Sequence, residues 1–474
     1  MRHGIGLGLV LVLLSAGEAL GAGNQGCREG LWVSTGSMTT ARRWHAAALL
    51  SSGKVLVTGG VDSGERAIAS AELYDPATGR WAPTGPMSIP RGYHTLTALP
   101  TGKYLVAGGG SSGLTVSAPA ELYDADTGQW SLTGAPHDAR EYHSATLLSN
   151  GRVLVVGGLG ESGLLASAEL YDPATGQWEA TGTLADARRF HTATLLPSGK
   201  VLITGGLTNA GPASSAEIYD PTDGTWAPAA PMLIPRYVHT ATLLSSGSVL
   251  AVGGGDTKAD IFDSRAGTWR PTGQLNERRF LHTATRLSSG EVLVVGQSIK
   301  AERFDPDLEA WGDAGCTIES RFEHTATLLR SGAVLVAGGP GATAEVTGLV
   351  VIPSDATLAT GASLTFTARG LNGLDRAWSF VENASGGSLT TSGDYRAGPR
   401  GGVTDVIRVV DGFGSTGTAT ITVSPPATAV AAASAQARAM GCAITRGGDE
   451  SVRGAVLALL LLTWRIRRNE VSGT

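Results

Sequence analysis

Between Arg42 and Gly339 one pattern occurs seven times: an arginine, two variable residues, a histidine, an apolar run, a turn, and a second apolar run ending at glycine. The shared histidines are His45, His94, His143, His191, His239, His282 and His324, spaced 49, 49, 48, 48, 43 and 42 residues apart. A period of that size belongs to propellers or helical arrays. The local chemistry chooses between them. Runs such as KVLVTGG and SAELYD are β-branched or alternating and are bounded by Gly, Ser, Asp and Pro, which builds strands. The composition agrees: 67 glycines and 21 prolines in 474 residues, with 16% charged, suit short strands and tight turns. The class expected is all-β.

In the fourth copy, four strands are placed at 191–196, 200–204, 216–220 and 225–227, with turns at PSG and DPTDG. Four antiparallel strands make one blade. The Gly-Gly pair ends the second strand where the chain bends without room for a Cβ. The sixth copy departs here, with Gly296 followed by Gln297. Each of the first six histidines is followed by a tryptophan (Trp81, Trp130, Trp178, Trp226, Trp269, Trp311), and the seventh by none within its copy. The missing one precedes the first copy, since WVSTGSM at Trp32 matches WAPTGPM at Trp81. A strand at Trp32 is therefore expected to complete the last blade, joining the chain's ends and leaving no open sheet edge. Regular spacing and large apolar area assign the tryptophans to packing between blades.

The order Arg-x-x-His, strand, Gly-Gly, Tyr-Asp-Pro, x-Thr-Gly-x-Trp resembles the kelch repeat. The resemblance implies a seven-bladed β-propeller over 32–346, closed by its N-terminal strand. Residues 347–425 carry further short alternating strands and resemble the immunoglobulin-like β-sandwich modules of exported bacterial proteins, without the paired cysteines of antibody domains. Such modules space or adhere.

The chain's two ends have the character of targeting segments. Residues 1–22 have a basic start at Arg2, an apolar run and small residues up to Ala22, the order of a secretory signal with processing after Ala22. Cys27 lies too far beyond that run, behind Asn24-Gln25-Gly26, to mark lipid attachment. An Ala-rich stretch within 426–453 leads to Cys442, and 454–468 is a short hydrophobic run with Arg465, Arg467 and Arg468 behind it. The run is about half the roughly 20 residues a spanning helix needs. The tail resembles myxobacterial C-terminal sorting tails, in which Cys442 would mark the processing region; a transient membrane tether is the tail's other use. Export to the cell surface, the outer membrane or the medium is the expectation.

A net charge of -5 without a long Lys/Arg cluster gives no footprint for nucleic acid. Two constellations remain within the repeats. Seven imidazoles suggest a metal site, but sevenfold equivalent positions form a wide ring, whereas a metal gathers three or four ligands at about 2 to 2.3 Å. Hydrogen bonding to a neighbouring blade is the reading preferred, and His137, outside the pattern, is read as an ordinary loop residue. The arginines Arg42, Arg91, Arg140, Arg188, Arg236, Arg279 and Arg321 recur with an acid on the third strand: Glu72, Glu121, Glu169, Glu217, Asp260, Glu302 and Glu345. They form either a charge-assisted pair once per blade or, as in kelch domains that bind acidic peptides, a ring of binding cations on one face. That face also carries the loops between second and third strands, long in copies one to four and short in five to seven. A lopsided face of this kind makes an open groove.

The copies also resemble the propeller of secreted copper radical oxidases such as galactose oxidase. That chemistry implies a thioether-linked Cys–Tyr pair, two histidines and a second tyrosine at copper. The three cysteines here are Cys27, Cys316 and Cys442, none in an expected blade strand, and 347–425 holds no histidine. Cys27 and Cys316 are candidates for a disulfide, since export favours one. The expectation is a non-catalytic binding or scaffold protein without a cofactor, whose partner is a protein or polysaccharide of the cell envelope; a divergent oxidase is the alternative.

Overall fold

The computed structural model describes residues 32–111, 114–115, 119–347, 350–352, 355–369, 376–411 and 416–425. The signal segment with Ala22, Cys27, the Ala-rich stretch, Cys442 and the basic tail lie outside the described residues. Within them there are strands and turns and no helix.

The repeats fold as seven four-stranded antiparallel sheets, numbered here 1 to 7 in chain order. Sheet 4 is representative, with strands Thr192–Leu195, Val201–Thr204, Ala216–Asp220 and Thr225–Ala229 in sequence order. Its second strand, VLIT, is buried at every position. A run apolar on both faces must be covered on both faces, and neighbouring sheets supply the cover. One cluster joins Leu154, Val156 and Leu170 of sheet 3 to Val201, Ile203 and Tyr219 of sheet 4. Each such side chain contributes on the order of 1.5–3 kcal/mol on burial. The first strand of every sheet touches the first strand of the next, and that of sheet 7 touches that of sheet 1. The sheets thus close on themselves around an axis.

The closure uses the earliest described strand. Sheet 7 contains Thr325–Leu328, Val334–Ala337, Ala344–Thr347 and, at its outer edge, Trp32–Ser34, with Trp32 opposite Thr347 and Ser34 opposite Glu345. Trp32 is buried among Leu293, Val295, Val334 and Val336, and its indole Nε1 donates to the Ala314 carbonyl of sheet 6 at 3.0 Å. The other tryptophans repeat this bond across sheet boundaries, Trp81 to Gly36 at 2.7 Å and Trp178 to Gly134 at 2.8 Å among them. Trp226 is the exception, its Nε1 buried without a partner among the described residues. Cys316, which ends a strand of sheet 6, is disulfide-bonded.

Sheet 6 departs where the sequence does. Gln297 occupies the left-handed position (φ 68°) that a second glycine holds elsewhere, and the register shifts between Val294 and Gly296. At the regular copies the first glycine is obligatory: a Cβ on Gly59 would lie 2.4 Å from the Arg91 carbonyl oxygen and 2.7 Å from His94 Cε1.

Beyond the seven sheets, Asp355–Ala359, Thr416–Ser424, Val403–Asp411 and Arg376–Asn383 form a four-stranded sheet in that order, its first pair parallel. Ser363–Thr365, Asp394–Arg396 and Ser388–Leu389 form a three-stranded one. Phe366, Tyr395, Ile407, Val409, Ile421 and Val423 make a core of their own. Asp405 is buried there and accepts from the Ser385 amide at 2.7 Å and the Tyr395 hydroxyl at 2.6 Å, so its charge is met inside the fold.

Trp32→Ala removes the closing strand's anchor and leaves a cavity, and is expected to cost about 3–5 kcal/mol. Equilibrium denaturation checks it; a midpoint equal to that of the unsubstituted chain contradicts the closure described.

Candidate functional site

Each repeat's arginine is withdrawn from solvent. Arg42, Arg91, Arg140, Arg188, Arg236, Arg279 and Arg321 are all buried, at 0–2% exposure. Their Nη1 atoms donate to the carbonyl of the first glycine of the pair, Gly59, Gly108, Gly157, Gly205, Gly253, Gly296 and Gly338, at 2.6–2.9 Å. Each guanidinium also meets the third-strand acid, from 2.6 Å for Arg140–Glu169 to 3.4 Å for Arg91–Glu121. Of the two readings of these arginines, the geometry gives the paired one. As an exposed ring of binding cations they fail, because their charge is already spent inside each sheet. Burial pulls the guanidinium of Arg42 below its ordinary pKa, with Glu72 opposing, and removing one partner of such a pair strands a buried charge at a cost of about 3–5 kcal/mol.

The histidines line the axis. Each Nε2 meets a hydroxyl of the preceding sheet: His45 with Thr325 at 2.8 Å, His94 with Thr58 at 2.9 Å, His143 with Thr95 at 3.1 Å, His191 with Ser144 at 2.9 Å. His239, His282 and His324 likewise reach Thr192, Thr240 and Thr283. They tie sheet to sheet. Burial, then the charge of the nearest arginine, pushes His94 and His191 down to about 3, so the ring is neutral at ordinary pH. His137, read as an ordinary loop residue, takes a specific role: its amide and its Nδ1 both meet Glu169 Oε2, at 2.7 and 2.9 Å.

Between the buried arginine and the buried histidine lie two residues whose position is now dictated. The second of them is left-handed in every copy: Trp44 (φ 52°), Tyr93 (60°), Tyr142 (56°), Phe190 (55°), Val238 (47°), Leu281 (53°) and Glu323 (58°). None is glycine, so each conformation costs on the order of 1–3 kcal/mol. Partial compensation comes from a belt of backbone bonds around the axis. Trp44 N donates to Glu323 O at 3.1 Å, Tyr93 N to Trp44 O at 3.0 Å, and the series continues through Tyr142, Phe190 and Val238, then from Glu323 to Leu281. The link from Leu281 to Val238 is the one gap among the described residues.

The belt presents its side chains into a cavity of about 290 Å³ at the mouth of the axis, floored by the histidines. One side of it is aromatic. Tyr93 and Tyr142 lie 4.5 Å apart between ring centroids, Tyr142 and Phe190 4.4 Å, and Trp44 lies 5.3 Å from Tyr93 and 6.1 Å from Phe190. The other side is Val238, Leu281 and Glu323. The first variable position, outside the cavity lining, carries Arg43, Glu141 and Arg189 in sheets 1, 3 and 4 and Tyr237, Phe280 and Phe322 in sheets 5 to 7. Arg189 sits over the rings of Phe190 and Tyr142, 5.1 and 5.6 Å from their centroids. Glu323 pairs with Arg43 at 3.4 Å; burial raises its carboxyl pKa, with Arg43 opposing. Burial raises the Tyr142 phenol, and its neighbour Tyr93 adds to the effect.

The tall loops stand on this same side. In sheets 3 and 4 they fold into two-stranded hairpins, Leu159–Gly160 with Gly163–Leu164 and Leu207–Thr208 with Gly211–Pro212. They bridge to the variable residues themselves: Arg43 to Val61, Gly92 to Gly110, Glu141 to Leu159, Arg189 to Leu207. Sequence reasoning had concentrated on the repeated Arg and His and missed the crescent between them. The signal was present in the list RRWH, RGYH, REYH, RRFH, RYVH, RFLH, RFEH, where the middle pair varies inside a fixed frame.

A copper centre like that of the oxidases named above is not seen among the described residues. Among the described residues no three His, Cys, Asp or Glu side chains are grouped to hold a metal, and each axial imidazole already has its Nε2 on a neighbour's hydroxyl.

Three segments, residues 42–88, 142–184 and 188–233, match the Kelch motif. A solved structure of a fungal alcohol oxidase of the AA5 family, in complex with copper, superposes with a TM-score of 0.58 at 16% identity, covering 84% of this chain and 99% of that one. No curated protein matches. Together these support a kelch propeller of galactose-oxidase-like fold; at this identity the likeness concerns the fold alone.

With the axial histidines held neutral in the fold and free to protonate when unfolded, the unfolded chain binds more protons between about 3 and the ordinary value of about 6.5. Stability is therefore complete above that window and lost as pH falls through it. The thermal midpoint is expected to be about 10 °C lower at pH 5.5 than at pH 7.5; calorimetry showing no such drop contradicts the assignment.

Proposed function

We propose that this chain is an exported, non-catalytic binding protein: a seven-bladed kelch propeller followed by an immunoglobulin-like module, holding a polysaccharide or protein partner of the cell envelope over its lopsided face. The immunoglobulin-like module and the C-terminal tail serve to space the propeller from the surface and retain it there. One observation carries the reading. Four aromatic side chains converge at the axis on a backbone held in a costly conformation, at the foot of the tall loops, and a rigid concave aromatic surface with a few polar groups is what recognition requires. The apolar exposure of Leu233, Ile318 and Phe322, in the linkers preceding the first strands of sheets 5 and 7, extends the contact surface beyond the cavity.

A second reading, a divergent copper radical oxidase, is favoured by the structural likeness to the AA5 alcohol oxidase. The two separate on simple measurements. For the binding reading, purified protein carries copper far below one atom per chain and releases no peroxide from alcohols or sugars. Shortening the hairpins Leu159–Leu164 and Leu207–Pro212 then abolishes retention of envelope material on immobilised protein while leaving the thermal midpoint within about 3 °C. Stoichiometric copper with peroxide release would transfer the function to the oxidase reading.

A further inference from the structure

We infer that the channel mouth recognises an acidic saccharide, a uronate-type sugar residue stacked on the aromatic crescent with its carboxylate on Arg189. The inference rests on the binding reading above and deepens it.

The size of the site argues first. At about 290 Å³ and floored by histidines, the cavity is at the small end of ligand pockets. A peptide adding as a strand needs an unpaired sheet edge; the first strands at the axis lie side by side in a ring, and the mouth itself is the belt of backbone bonds. What fits is a small ring. The walls of Tyr93, Tyr142 and Phe190, tilted about 50° to one another, offer faces to the C–H-bearing side of a pyranose.

The charge argues second. Four ionisable side chains of the first and second variable positions surround the mouth, and three are accounted for. Arg43 is shared between Glu65 and Glu323, and Glu141, 1% exposed, has its charge opposed by Arg189 with no hydrogen bond to its Oε2 among the described residues. Arg189 is left. It acts on Glu141 through space, but its side chain makes no hydrogen bond or ion pair among the described residues; its Nε is buried, and two aromatic rings hold its position. With Nε buried, the two Nη atoms are the edge that meets a carboxylate, through two parallel N–H···O bonds. Rings of neutral sugars satisfy the crescent and leave Arg189 unanswered. A uronate satisfies both.

The experiment is calorimetric titration of the full chain with digalacturonate and with its dimethyl ester, which has the same rings and no charge. The acid is expected to bind at least tenfold tighter than the ester. Arg189→Gln, on a half-buried side chain, is expected to equalise the two, while Arg189→Lys, which keeps a charge beside Glu141, recovers part of the difference and Trp44→Ala weakens both. Equal affinity for acid and ester, or a preference that survives Arg189→Gln, overturns the inference. So does binding of peptides with a free C-terminal carboxylate in the absence of saccharide binding, although that result leaves the binding reading intact. Failure of every probe, together with stoichiometric copper and peroxide release, overturns both.

Discussion

A guanidinium buried beside a carboxylate, once per sheet, is the interaction on which the rest of this structure depends. Arg140 joins three parts of sheet 3 that are distant in sequence: the linker it belongs to, the glycine ending the second strand through Gly157 O, and the third strand through Glu169. Glu169 in turn accepts from the amides of His137 and Asp138, so the linker is held at two points. Sheet 5 makes the same joint with the shorter Asp260, and no linker amide reaches that carboxylate. Three residues after each arginine, the histidine is fixed to the preceding sheet. The two residues between are clamped at both ends, and the left-handed backbone at the second is the geometric consequence. Strain at the mouth is thus imposed by the scaffold and is independent of which side chain stands there; even Val238, a β-branched residue, adopts it.

This division separates what must stay constant from what can vary. The arginine, glycine and acid are consumed by folding; each histidine spends its Nε2 on the preceding sheet and keeps an Nδ1 without a partner among the described residues. The second residue of the variable pair lines the cavity in every sheet, so its side chain is free of the pairing that holds the arginine and the acid. Four aromatics in sheets 1 to 4, under tall loops, against aliphatic and acidic residues in sheets 5 to 7, make the axis chemically asymmetric although the backbone is not. The AA5 alcohol oxidase whose fold this chain resembles is a copper complex; the residues at this mouth are mostly aromatic and aliphatic.

Much of the fold was legible because repetition turns weak local signals into strong ones. Strands placed at 191–196 and 200–204 from β-branched runs and turn residues lie at Thr192–Leu195 and Val201–Thr204, and the Trp32 segment pairs where the tryptophan spacing required. The site was less legible, for a physical reason. Repetition marks what the scaffold needs, so attention to recurring Arg and His selects the structural residues and passes over the positions released for function. The burial of the arginines was undecided by sequence, because a repeated cation next to a repeated acid is compatible with a surface pair as well as a buried one. His137 was misjudged because its contact with Glu169 is made across a loop whose path no periodicity reports.

The proposed place of recognition is the axial mouth of the tall-loop face. Hydrogen–deuterium exchange with and without envelope polysaccharide tests it directly. Slowed exchange confined to the segments around Trp44, Tyr93, Tyr142 and Phe190 and to the hairpins above them is the result this account predicts; slowed exchange confined to 355–425, or to the outer strands bearing Trp81 to Trp311, would contradict it.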